Sequence, residues 1–222
     1  MKEKKRRYGL GVGLLSAFVL WTALACLVDV RPVGPEGSVV GFSRLNVIFH
    51  QWTGVNMSLY SLTDYLSVVP AAVVLASALL GVAQWIKRKS ICRVDGSLLL
   101  LGGYYVVVMV LYIFFEVVVI NYRPVLIDGV LEASYPSSTT MLVMCVMPVG
   151  LLRLRARIGN PRLKATVTAL VVAFTAFMVL GRLISGVHWF SDIVGGALLS
   201  AGLVMIYYAA SYDMLRKETG NQ

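Results

Sequence analysis

The chain has 222 residues, 58% of them hydrophobic and only 14% charged, with a formal net charge of +9. A water-facing surface normally needs about a quarter or more charged residues, so these figures exclude an ordinary soluble domain and describe a polytopic membrane protein. They also argue against a nucleic-acid partner, because no alternation of basic and aromatic residues on a soluble domain and no zinc-finger or helix-turn-helix spacing occurs.

In chain order, six apolar segments can be marked at roughly 8–28, 66–86, 97–119, 137–152, 165–184 and 189–210. The expected architecture is all-α: a single membrane domain over 1–222, built as a bundle of six transmembrane helices. A span needs about 20 residues, so five segments qualify and the fourth is short. The first segment follows five basic residues and looks like a secretory signal, but its apolar run continues to Val28 and more spans follow. It reads as a retained span.

Lys and Arg number five before the first segment, four in 87–93, five in 153–164 and two in the C-terminal tail. The alternate connections hold only Arg31, Arg44, Arg123 and Arg182. This positive-inside pattern predicts cytoplasmic termini and places the four lone arginines toward the extracytoplasmic side of a cell membrane.

The longest outer connection, 29–65, is broken by Pro32, Gly34, Pro35 and Gly37. Its stretch from Phe42 to Tyr60 mixes apolar and polar residues and reads either as an interfacial helix on the outer leaflet or as an ordinary interfacial loop. His50, within it, reads as a solvent or headgroup contact. The Gly102-Gly103 and Gly195-Gly196 pairs suit close helix approach. Gly9, Gly11 and Gly13 open a span and follow no strand, so they form no dinucleotide loop. Cys26, Cys92 and Cys145 are scattered and read as core thiols with neither disulfide nor metal spacing. With two distant histidines and no carboxylate cluster, no metal or other cofactor is implied.

Ionised groups at the ends of apolar segments are costly without partners or a water-filled cleft. Arg182, His188 and Asp192 lie at such ends. His188 and Asp192 are four apart, so in a helix they share a face and the carboxylate can orient the imidazole as a nucleophile. Glu116 and Arg123, seven apart, would also share a face if the third span continued that far. Arg123 suits an anion clamp, its fork matching two phosphate oxygens. Pro136-Ser137-Ser138-Thr139-Thr140 opens the fourth span with a proline and hydroxyls, giving a helix N-terminus whose free amides attract anions. All these groups fall on the predicted outer side.

The pattern resembles the type 2 phosphatidic acid phosphatases, six-span enzymes that act on lipid phosphates and pyrophosphates through a phosphohistidine. The family's third motif is matched by Arg182, His188 and Asp192 at the right spacing, the end of its first by Arg123-Pro124, and the start of its second by Pro136-Ser137. The resemblance covers about residues 66–210, the phosphatase-like core. It implies that His188 is the nucleophile, Asp192 its partner, and Arg123, Ser137 and Arg182 phosphate ligands, with Ser138 and Thr139 contributing from the same helix start. Four positions depart from the family. Its first-motif lysine is Glu116 here, its second-motif glycine and histidine are Ser138 and Thr139, and the serine before the third-motif arginine is Gly181. The absent histidine is the family's leaving-group acid, so Glu116, Asp128 and Glu132 are the candidate substitutes. The expected function is a membrane lipid phosphatase or pyrophosphatase with an outward-facing site. The alternative is a member that binds, transports or transfers a phospholipid headgroup without ordinary phosphatase activity.

Overall fold

The computed structural model describes residues 2–214; Arg216 and Lys217 of the basic tail lie outside the described residues. Eight α-helices are described: α1 (Lys2–Leu27), α2 (Ser43–Thr53), α3 (Met57–Leu66), α4 (Val68–Arg88), α5 (Gly96–Val117), α6 (Ser138–Arg157), α7 (Pro161–Ile184) and α8 (Phe190–Ala210). Among the described residues there is no strand, and six helical stretches are long and apolar enough to cross a membrane. One of them joins α3 to α4 over 32 residues. The protein is an all-α, multi-pass membrane protein.

Local chemistry accounts for several boundaries. Asn160 caps α7, its side-chain oxygen accepting from the Arg162 and Leu163 amides at 2.9 and 3.3 Å, and Pro161 occupies the first turn, where no amide is needed. Asn56 caps α3 in the same way, accepting from Leu59 at 2.9 Å.

The fourth span is not short. Helix α6 runs 20 residues, past Arg153 and Arg155 to Arg157. Basic residues suit a helix C-terminus, and their stems lie along apolar surface while the heads reach polar partners. Arg153 donates to the Ser97 carbonyl at 2.9 Å, so an arginine near the end of the run does not mark the end of the helix.

Helices α6 and α8 are the most buried spans, and α1 packs along α8. The latter approach is close enough that a Cβ on Gly11 would lie 2.8 Å from Ile206, and one on Gly202 would lie 2.8 Å from Leu15. Gly11 is thus a packing residue. Phe18 of α1 meets Phe115 of α5 edge-on at 5.8 Å and stacks on Tyr135 at 6.3 Å, at the centre of the main core. Gly195 and Gly196 behave as expected, backing onto the Tyr135 ring and the Ser137 carbonyl. Gly102 and Gly103 do not, since a Cβ there would meet nothing within 4 Å. They border an apolar cleft of about 480 Å³ between α4 and α5. Of the cysteines only Cys145 is buried; Cys26 and Cys92 are exposed.

The connection 29–65 folds into α2 and α3 and is tied down at its start. Asp29 accepts from the Arg44 amide at 2.8 Å and pairs with Arg31 at 2.8 Å. The Arg44 amide holds the Asp29 carboxyl below its ordinary value. His50 is half-buried, with its ring 5.5 Å from that of Trp189, and burial lowers its basicity. Its ring packs against Trp189, a contact the expected solvent or headgroup reading did not include.

Candidate active site

The α7–α8 junction carries Arg182, His188 and Asp192, and it is not one helix. Helix α7 stops at Ile184, Ser185 to Trp189 form a loop, and α8 begins at Phe190. Gly186 makes the turn with φ +66°, and a Cβ there would sit 1.7 Å from the Gly54 carbonyl oxygen. Only glycine suits both conditions. The Asn56 amide donates to the Ser185 carbonyl at 2.9 Å, so the turn between α2 and α3 is clamped onto the loop that holds His188.

Because that loop is not helical, the expected shared face for His188 and Asp192 does not exist. The two still approach: His188 Nδ1 lies 4.0 Å from Asp192 Oδ2, too far for a hydrogen bond. Asp192 instead caps α8, accepting from the Trp189 amide at 3.0 Å. Its other oxygen accepts from Asn121 Nδ2 at 3.1 Å, with the Ser191 hydroxyl 3.4 Å away. Asn46 completes this buried set, donating to Ser191 Oγ at 2.9 Å and accepting from the Ser191 amide at 3.0 Å. The fully buried carboxylate is therefore held by neutral donors from three segments.

His188 is 4% exposed, and its Nε2 lies 3.0 Å from Arg123 Nη1. A guanidinium can only donate, so Nε2 accepts and the ring proton resides on Nδ1, toward Asp192. Burial, then the positive charges of Arg123 and Arg182, hold the imidazole well below its ordinary pKa. At neutral pH His188 is a neutral base with its Nε2 lone pair directed at a cation.

Arg123 is positioned by a narrow double-backed connection. Its amide donates to the Glu132 carbonyl, the Ser134 amide to the Asn121 carbonyl, and Ile127 and Val130 exchange both bonds across an Asp128-Gly129 tip with positive φ at both residues. This folds Glu132 back against Arg123, whose Nε lies 2.9 Å from the carboxylate. Asp128 is exposed at the tip and contributes nothing to the cluster. Glu116 is also apart: α5 ends at Val117, so the helical register that would align it with Arg123 is lost. It borders a recess with Tyr112, Ser134, Tyr135, Pro136 and Ser138.

Arg182, 2% exposed, donates from Nη2 to Thr139 Oγ1 at 2.5 Å and to Asp64 Oδ1 at 2.7 Å. Its Nε and Nη1 have no partner, nor does the buried Ser137 hydroxyl. The Ser137 amide donates to the Asp192 carbonyl at 3.1 Å, leaving Ser138, Thr139 and Thr140 as the open first turn of α6. The Tyr60 ring lies 4.6 Å from the Arg182 guanidinium and 5.7 Å from that of Arg123. Both arginines therefore converge on one face of α3.

The structure thus brings together Arg123, Arg182, His188, Asp192, Thr139 and Glu132, and leaves Glu116 and Asp128 outside. Sequence reasoning missed Tyr60, Asp64, Asn46, Asn121 and Ser191. Of these, Asn56-to-Asp64 carried a readable signal, a cap followed by a tyrosine and an aspartate one turn apart. The asparagines carried none. No metal-binding group of three or more His, Cys, Asp or Glu occurs among the described residues.

Together the bundle and its cluster define a six-span membrane protein with two buried arginines and a buried histidine gathered at one end. Residues 119–216 match the PAP2 superfamily, and they contain every matched element of the three motifs. The fold is similar to the crystal structure of the first transmembrane PAP2-type phosphatidylglycerolphosphate phosphatase from Bacillus subtilis. The TM-score is 0.60 at 19% identity, covering 92% of this chain and 96% of that one. None of the curated proteins compared matches this chain. The family match covers under half of the chain, and the likeness to that transmembrane structure shows a shared fold.

Proposed function

We propose that the protein hydrolyses a lipid phosphate or pyrophosphate through a phosphohistidine on His188, in a site that faces the extracytoplasmic side. One observation carries this reading: two buried arginines from different elements frame a neutral histidine, and Arg182 keeps two unpartnered donor nitrogens. Unsatisfied buried donors are costly, and a phosphoryl group supplies the acceptors they lack. Phosphate oxygens draw Arg123 from Nε2 and engage Arg182, the open turn of α6 and Ser137. His188 Nε2 then attacks the phosphorus. Preorganised cations stabilise the charge on the transferring group, and the Asp192 carboxylate stabilises the phosphorylated ring. Water opens the intermediate.

The lipid character has its own support. A cleft of about 300 Å³, whose walls include Asp64, Ser138 and Thr139, shares Val74 and Tyr105 with the larger apolar cleft between α4 and α5. Together they offer a hydrocarbon chain a route from the bilayer to Asp64 and Thr139, the partners of Arg182. The positive-inside charge pattern supports the outward orientation.

A second reading is favoured by one observation. Each arginine already has a carboxylate partner, and a threonine stands where the family acid belongs. A protein that binds or transfers a phospholipid headgroup without hydrolysis would need no more. Phosphate release from a panel of lipid monophosphates and diphosphates by the purified protein, beside His188→Ala, separates the two. Release abolished in the variant supports hydrolysis; binding without release by the folded wild type supports the second.

A further inference from the structure

The geometry points to Asp64 as the proton-transfer residue of the site, acting where the family uses its second-motif histidine. This rests on the phosphohistidine reading above. Thr139 occupies the histidine's position, and its hydroxyl cannot exchange protons usefully near neutral pH. Asp64 is the carboxylate that shares a single guanidinium nitrogen with it: Arg182 Nη2 is 2.5 Å from Thr139 Oγ1 and 2.7 Å from Asp64 Oδ1. Asp64 also borders the same cleft as Ser138 and Thr139, so it meets the reacting group from the lipid side.

The other site carboxylate is differently placed. Glu132 bears on Arg123, whose Nη1 touches the nucleophilic Nε2. In an in-line displacement the leaving oxygen departs opposite the nucleophile. Glu132 is therefore grouped with the attacking nitrogen, and Asp64 with Thr139 at the other arginine. Asp64 is 58% exposed, so it can exchange protons and admit water where Glu116 and Asp128 have no contact with either arginine.

In the first step the protonated Asp64 gives its proton to the leaving alkoxide as the P–O bond breaks and the N–P bond to His188 forms. In the second, the Asp64 carboxylate takes a proton from water as the water oxygen bonds to phosphorus and the N–P bond breaks. Neutral His188, protonated Asp64 and inorganic phosphate result, and the cycle closes without a co-reactant. Tyr60, one helical turn before Asp64 on α3, holds both guanidinium groups against that face.

The test is Asp64→Asn in detergent-solubilised full-length protein, with two substrates of the same lipid tail. One is an alkyl monophosphate, whose leaving group needs a proton; the other is a diphosphate, whose leaving group does not. A general acid of this kind contributes about 10²–10⁴-fold. The monophosphate rate is expected to fall by that factor. With the diphosphate the variant is expected to give a burst of one lipid monophosphate per enzyme, then stall with an acid-labile phosphoryl group on His188. Asp64→Glu retains turnover, and Thr139→His added to Asp64→Asn restores it. Equal losses on both substrates with no accumulated phosphoenzyme would overturn the assignment and leave Asp64 as a partner of Arg182 only. Unchanged turnover on the monophosphate would overturn it as well. If the wild type releases nothing from any lipid, the hydrolytic reading itself fails, an outcome distinct from a variant-specific one.

Discussion

Replacing Asn121 with aspartate tests how Asp192 is kept ionised inside the bundle. Asn121 Nδ2 is 3.1 Å from Asp192 Oδ1, and both residues are fully buried. The substitution preserves shape and converts a donor into a second carboxylate. At an effective dielectric constant near 20, two unit charges at that distance repel by about 5 kcal/mol, and the lost charge-assisted hydrogen bond adds about 1.5–3 kcal/mol. Asn121→Ala loses only the hydrogen bonds, so it is expected to cost roughly 2–4 kcal/mol. Above neutral pH, thermal unfolding in detergent should rank wild type, then Asn121→Ala, then Asn121→Asp. The repulsion requires both carboxyls to be ionised, so lowering the pH until one is neutral should bring Asn121→Asp back toward the alanine variant. An Asn121→Asp protein as stable as wild type at pH 8 would refute the claim that Asn121 holds an ionised Asp192.

Protonation of His188 gives a second expectation. Burial and the two arginines lower its pKa in the folded state, so the unfolded chain binds the extra proton first. Stability is then full above the ordinary imidazole value near 6.5 and declines as pH falls below it, a component His188→Gln should lack in thermal scans. Arg123→Leu removes one of the charges responsible, raises the folded value toward the ordinary one, and should make that decline smaller. Gly186→Ala forces a side chain into positive φ and onto the Gly54 carbonyl, and should cost about 2 kcal/mol or more by thermal unfolding with loss of phosphate release. Arg182→Lys keeps the charge but not the fork that reaches Thr139 and Asp64 together. It should lower phosphate release at least about tenfold, by roughly 1.4 kcal/mol or more in transition-state binding.

The spans were legible because the bilayer demands long apolar runs with internally satisfied backbones, and that demand is written along the chain. The motif residues were legible because arginine, histidine and aspartate are rare in such runs. What the chain hides is tertiary. His188 and Asp192 approach through a loop and a helix cap, and the spacing of four that suggested a helix coincides with that geometry for another reason. Glu132 reaches Arg123 because Asp128-Gly129 turns the chain back, a short turn signal that sequence reading passed over. Asn46 and Asn121 lie 75 residues apart in sequence yet meet at Ser191. No spacing rule connects them. Asp64 sits in the connection least constrained by hydropathy, and only the docking of α3 on α7 brings it to Arg182.

The most direct test of the central claim is to trap the intermediate. Purified protein would be mixed with a radiolabelled lipid diphosphate, quenched within milliseconds under alkaline conditions, and the labelled residue mapped. The account predicts label on His188, stable to alkali and released by acid, and none in His188→Ala. Phosphate release by the wild type with no label on His188, or with label on a hydroxyl such as Ser137, would contradict it.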